Sequence, residues 1–271
     1  MASRQTLRRL LALQRSFGRQ GPRCKLWPVG IESLSDYFDR LYSATGPEGT
    51  YWFRGHAAWD WKLTPSALRF DDHAKRKRAL DLWREFRRVA EIRFPGPQDH
   101  ANALRWMQLA QHYGLPTRLL DWTQNAAIGL YFACFDLQDD GLVFILNPVN
   151  LNRQADPLNP SVLDPHKDAK KIEPYFALGA RRNPGGPPTV AINPLWNSER
   201  IVVQKGAFTL HGSRSFSLDE KQAPGLTCLP VLAEFKERLR AELERVGVDE
   251  MAIFPEPEHV ASHLRRKAGL V

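Results

Sequence analysis

Apolar positions between residues 31 and 42 recur at Ile31, Leu34, Tyr37, Phe38 and Leu41, a helical period that turns one face inward. The same period returns from Asp72 to Phe94. There Leu80, Trp83, Phe86 and Ala90 form a stripe opposite a basic face that includes Lys75, Arg76, Arg84 and Arg87, and Pro95-Gly96-Pro97 supplies the stop. A further helix is predicted from Asp99, as its cap, to Tyr113, closed by Gly114 with Pro116 beyond. From Gln124 to Phe135 the chain is apolar almost all round, which predicts a buried helix.

Other stretches lack the helical period. TYWFRG at 50–55 is dense in aromatic and β-branched residues, follows a turn signal at 46–49, and reads as a strand ending at Gly55. LVFILN at 142–147 reads as a core strand. VAI (190–192), RIVVQ (200–204) and AFTLHG (207–212) complete the strands, the last two joined by Lys205-Gly206 as a tight hairpin turn. Residues 148–194 are rich in Pro, Asn and Gly, a composition expected of a functional lid or a mobile insertion. Leu229–Val246 and Pro257–Lys267 predict two closing helices. With no internal repeat and no clear linker, the expectation is one α+β domain over residues 29–271, a mixed or antiparallel sheet with packed helices, preceded by a basic extension over 1–28.

Composition narrows the class. At 271 residues and 43% hydrophobic content the chain can bury a full core, which excludes disorder as its overall state. No run approaches the roughly 20 apolar residues of a membrane span, and the arginine-flanked start lacks a cleavage site, so a cytoplasmic protein is expected. Cys24, Cys134 and Cys228 lie far apart, without metal-ligand spacing or the pattern of a disulfide framework. The net charge of +8 points to nucleic acid until it is located: seven basic residues and no acidic ones fall within residues 1–25. The basicity is mostly a tail, suited to a phosphate backbone, to an anionic membrane surface or simply to water.

Two clusters carry candidate chemistry. Arg54 precedes Gly55 at a strand end, where its planar fork can meet a phosphate or carboxylate, or pair with Asp121 as a strut. Gln111, His112, Thr117, Arg118, Asp121, Trp122, Thr123 and Asn125 crowd one short span between apolar helices. Buried polar groups without partners cost about 1–3 kcal/mol each, so this set must satisfy itself or line a cleft. His112 stands at a helix C-terminus, where the dipole favours its protonated form, and is a candidate acid, base or anion ligand. No HExxH or paired-carboxylate spacing is present, and no residue is assigned to a metal; a hydrolytic metal site at His112 and Asp121 ranks last.

FRG at 53–55, the following Trp61, Leu63, Pro65, Ser66 and Arg69, QHYGLPTRLLDWTQN at 111–125, and GLYFA at 129–133 resemble the FRG domain of bacteria and phages. The resemblance continues through RIVVQKGAFTLHG (200–212) and weakly through IFPEPEHVASHL. It departs at His56, where the family often has glutamine. It names a domain rather than an activity. The order Arg54-Gly55, Tyr131-Phe132-Ala133, then Glu199 before RIVVQ is similar to that of ADP-ribosyltransferases, which implies NAD as a substrate. On that analogy Arg54 holds pyrophosphate or ribose, Tyr131 stacks on nicotinamide, and Glu199 or Gln204 takes the ribose hydroxyl. Arg54, His112, Glu199 and Gln204 are then the catalytic candidates; Gly55, Arg118, Asp121, Thr123 and Tyr131 are the ligand-binding ones. The alternative is a non-catalytic module for nucleotides or other anionic ligands, or for nucleic acid through the tail.

Overall fold

The computed structural model describes residues 30–94, 103–176, 187–212, 217–219 and 223–270. The predicted basic extension and the predicted cap at Asp99 lie outside them.

Helix α1 (Leu34–Thr45) starts at Ser33, whose hydroxyl accepts from the Asp36 amide, and buries Tyr37 and Leu41. Strand β1 (Trp52–His56) follows. Asp72 caps α2 (His73–Ala90) by accepting from the Lys75 amide at 2.7 Å. Helix α3 (Ala103–His112) leads into β2 (Leu119–Thr123), and Asn125 caps α4 (Ala126–Ala133) through the Ala127 amide. Then come β3 (Gly141–Leu146), α5 (Pro148–Asn152), α6 (Ala169–Phe176), β4 (Val190–Ile192), α7 (Glu199–Val203), β5 (Gly206–Leu210), β6 (Leu226–Val231), α8 (Ala233–Arg245), α9 (Glu250–Ile253) and α10 (Pro257–Lys267).

Three expectations are corrected. RIVVQ is helix α7 rather than a strand: Ser198 accepts from the Ile201 amide and starts a helical turn that overrides the β-branched composition. No hairpin therefore joins it to β5. Instead Lys205, at φ +45°, turns the chain out of the helix. The stretch from Leu229 begins inside strand β6, and helix α8 starts only after Leu232. Within residues 148–194 the expected strand at 190–192 is the edge strand β4, and helices α5 and α6 lie in the stretch before it.

The strands form one sheet in the order β4-β5-β2-β1-β3-β6, every neighbouring pair antiparallel, so the fold is an α+β single domain. One face is covered in two halves. Phe53, Val143, Ile145 and Leu229 pack under α1, α4 and α8, while Leu119, Val190, Phe208 and Leu210 pack under α2, α3 and α6. The opposite face gathers Trp52, Leu120, Trp122 and Phe144.

Helix α4 lies flush on β1 because glycines meet there. A Cβ on Gly55 would stand 2.1 Å from the Gly129 carbonyl oxygen, and one on Gly129 would stand 2.7 Å from Phe53 Cβ. Cys134 is a free, buried thiol. Among the described residues no helix is long and apolar enough to cross a membrane.

Candidate functional site

The sheet parts in its middle. The β2–β5 and β1–β3 ladders each run five residues, but β1 and β2 pair only at Phe53 and Thr123. Beyond that pair the two strands separate, and a cleft of about 920 Å³ opens over and through the gap. This is why residues from both sheet faces line it: Gly55, Asp121 and Thr123 from one, Arg54, His56 and Trp122 from the other.

Arg54 spans the gap. Its Nη1 donates to the Asp121 main-chain oxygen at 2.7 Å, replacing a ladder bond that the separated strands cannot make, and its Nε donates to His56 Nε2 at 3.0 Å. His56 Nδ1 lies 3.1 Å from the Trp61 carbonyl. An imidazole accepting at Nε2 and donating from Nδ1 is neutral. Its environment agrees: burial first, then the charge of Arg54, hold the His56 pKa well below its ordinary 6.5.

Arg54 is therefore oriented mainly by uncharged acceptors. The nearest Asp121 carboxylate oxygen is 3.9 Å from Nη1, the outer limit of an ion pair, and more than half of that side chain faces solvent. Burial lowers the Arg54 pKa, Asp121 opposes this and Arg69 adds to it. Arg54 and Arg69 both line the cleft, and like charges sharing it are an arrangement that an anion relieves.

A second set of bonds fixes Asp121. Gln111 Nε2 donates to its Oδ1 at 2.6 Å, and Gln111 Oε1 in turn accepts from the Thr117 hydroxyl. The segment after β1 closes the base of the gap: Ala67 donates to the Thr117 carbonyl at 3.0 Å, Ser66 Oγ accepts from the Thr117 amide, and Arg69 Nε donates to the Thr64 carbonyl. The residues spaced as Trp61, Ser66 and Arg69 are thereby held across the opening. Trp61, 55% exposed, stands at its rim with its ring 5.9 Å from that of His56.

The far end of the cleft is built by α3, α7 and the segment after α9. His112, Arg200, Gln204 and Phe254 line it. Arg200 Nε donates to Glu256 Oε1 at 2.6 Å, and its guanidinium lies 5.4 Å from the centre of the Phe254 ring. Gln204 Nε2 donates to the Ile253 carbonyl. His112 Nδ1 is 3.9 Å from the same Glu256 oxygen. Burial and then Arg200 lower the His112 pKa against the opposing charge of Glu256, the reverse of the direction expected from the helix terminus.

Of the residues singled out from the sequence, Arg54, Gly55, His112, Asp121, Thr123 and Gln204 share the cleft. Glu199 is exposed on the first turn of α7 and does not line it. Tyr131 is buried between α4 and α8, its ring 6.0 Å from the Arg240 guanidinium. Arg118 is buried on the far side of β2, donating to the His211 carbonyl; burial, followed by the charge of Arg84, brings its pKa down to about 10. Gln108, Arg69, Arg200 and Glu256 lie within segments that the sequence singles out, but none of them is given a role of its own there. Only Arg69 carried a signal, as the last position of the motif after Trp61. Among the described residues no three His, Cys, Asp or Glu side chains gather as metal ligands.

No curated protein and no solved structure matches the chain. Residues 49–141 match the model of the FRG domain, a span holding β1, β2, α3 and α4 and with them Arg54, Gln111 and Asp121. The chain carries an FRG domain, and the parted strands of the sheet with their bridging arginine lie within it.

Proposed function

We propose that the cleft binds a nucleotide-class ligand, with a phosphate on Arg54 and the neighbouring Arg69 and an aromatic ring against the cleft's aromatic walls. The observation that carries this is the way Arg54 is held. A strut arginine would close on its carboxylate through two short bonds; Arg54 rests on a neutral imidazole and a main-chain carbonyl, and its Nη2 has no partner among the described residues. Its charge is oriented yet not consumed. Trp61 on one side and Phe132, Phe135 and Phe254 on the other offer ring faces of the kind on which bases stack.

Consumption of NAD is the narrower form of this reading. Breaking the bond between ribose and nicotinamide leaves positive charge on the ribose, which a carboxylate stabilises. With Glu199 outside the cleft, that part falls to Asp121, whose carboxylate Gln111 orients beside Arg54. The nucleic-acid alternative draws less support. Its tail lies outside the described residues, and on the basic face of α2 Arg84 is paired with Asp81 and Arg87 with Glu91.

Calorimetric titration with adenosine monophosphate and NAD, alongside an assay for nicotinamide release, tests both levels. Binding without release supports the ligand class alone; release that stops in Asp121→Asn supports the reaction; absence of any nucleotide binding removes the proposal.

A further inference from the structure

The part of the cleft lined by α3 and α7 has the makings of a site in its own right. Gln108 is 2% exposed and lines the cleft; its Oε1 accepts from the Leu195 amide at 3.2 Å, while its Nε2 has no hydrogen-bond partner among the described residues. A buried amide donor left unpaired costs free energy that a ligand acceptor would recover. His112, one helical turn later on α3, lines the same part. Arg200 lines the cleft from α7; its Nε donates to Glu256, its guanidinium lies over the Phe254 ring, and its Nη atoms make no hydrogen bond among the described residues.

Glu256 is itself placed unusually. It stands at the N-cap of α10, where an acceptor side chain ordinarily receives a helix amide, yet it makes no capping bond. Its carboxylate turns instead to Arg200, with His112 beside it. A carboxylate from the chain thus sits on a cleft arginine that also faces an aromatic ring, and its Oε2, like Gln108 Nε2, is buried without a hydrogen-bond partner among the described residues.

We propose that Arg200 and Gln108 form a second anion subsite of the cleft, in which the chain's own Glu256 carboxylate occupies the arginine until a phosphate of the ligand displaces it. The assignment of that phosphate to a nucleotide rests on the function proposed above; the subsite itself does not. Arg54 and Arg200, which line the same cleft, then each take an anionic group of one ligand, which selects for a nucleotide with a second phosphate group or a distal one over a simple monophosphate. The segment from Ile253 to Glu256, anchored by Gln204, acts as the internal competitor.

Inorganic phosphate is the probe, titrated by calorimetry into the full chain and its variants. Glu256→Gln removes the competing charge and is expected to raise phosphate affinity at least fivefold. The gain is expected to vanish in Glu256→Gln/Arg200→Ala, to shrink in Glu256→Gln/Gln108→Leu, and to survive in Glu256→Gln/Arg54→Ala. Unchanged or weaker binding in Glu256→Gln, or a gain indifferent to Arg200, overturns the proposal. Should Glu256→Gln not fold, Glu256→Asp, which keeps the charge but shortens its reach, carries the same prediction at smaller size. The Arg54 reading fails separately: it falls if Arg54→Ala leaves nucleotide binding by the natural sequence unchanged, whatever Glu256→Gln does.

Discussion

His56 Nε2 accepts the Nε–H of Arg54 at 3.0 Å, which makes a neutral imidazole the seat of the cleft's central cation. What the position requires is an acceptor toward Arg54 and a donor toward the Trp61 carbonyl. A glutamine side chain carries both. His56→Gln is therefore expected to leave nucleotide affinity within about twofold of the natural sequence, whereas His56→Leu, which removes about 1.4 kcal/mol of orientation, is expected to weaken it about tenfold. Calorimetric affinities for the two variants decide this. Equal losses in both would show that the imidazole does something other than hold Arg54.

The same histidine gives stability a pH dependence. Its folded-state pKa lies well below the ordinary 6.5, through burial and then the Arg54 charge, so the unfolded chain binds the proton more readily. The stability contributed by this depressed group is complete above pH 6.5 and is lost as the pH falls from there through the folded value. Urea denaturation at a series of pH values should show this slope, and His56→Gln should flatten it. A slope unchanged in the variant would assign it to other groups.

Gly55→Ala tests the packing that sets β1 against α4. The added methyl would lie 2.1 Å from the Gly129 oxygen and 2.3 Å from the Ala133 nitrogen, both backbone atoms that cannot turn aside. A loss of about 3 kcal/mol or more is expected, at the upper end for overpacking. The measurement is the urea midpoint; a loss under 1 kcal/mol would mean that helix and strand separate easily there.

How much of this was legible in the residues follows from what each signal depends on. Helices α1, α2, α4 and α10 and strands β1, β3 and β4 show their own periodicity or composition, because each buries a face defined within its own few residues. Strand β2 was hidden: only five residues long, it alternates buried Leu120 and Trp122 with Asp121, and its polar positions read as a site rather than a strand. The apolar triplet 201–203 reads as a strand, yet the Ser198 cap and the Glu256–Arg200 bond make it a helical turn. Arg54, Gln111 and Asp121 stood out because a motif concentrates them. Arg200 and Glu256 meet across 56 positions of chain, and no local pattern announces such a pair.

The placement of Glu199, Tyr131 and Asp121 separates the cleft from the pattern-based assignment. Glu199→Ala and Tyr131→Phe are expected to keep nucleotide affinity within about twofold, since neither side chain lines the cleft. Asp121→Asn removes a negative charge close to the proposed phosphate position and should tighten binding of an anionic ligand a few-fold. Calorimetric titrations with adenosine monophosphate compare the three. A tenfold loss in either of the first two would return those residues to the site.

On the proposed function, Arg54 presents an unneutralised charge to a phosphate within the cleft. Adenosine monophosphate and adenosine, titrated in parallel into the natural sequence and Arg54→Ala, isolate that charge. The account predicts that the natural sequence prefers the phosphorylated ligand, and that Arg54→Ala loses about tenfold or more in its affinity while binding adenosine unchanged. Equal affinity of the two proteins for adenosine monophosphate, with the fold intact, would contradict it.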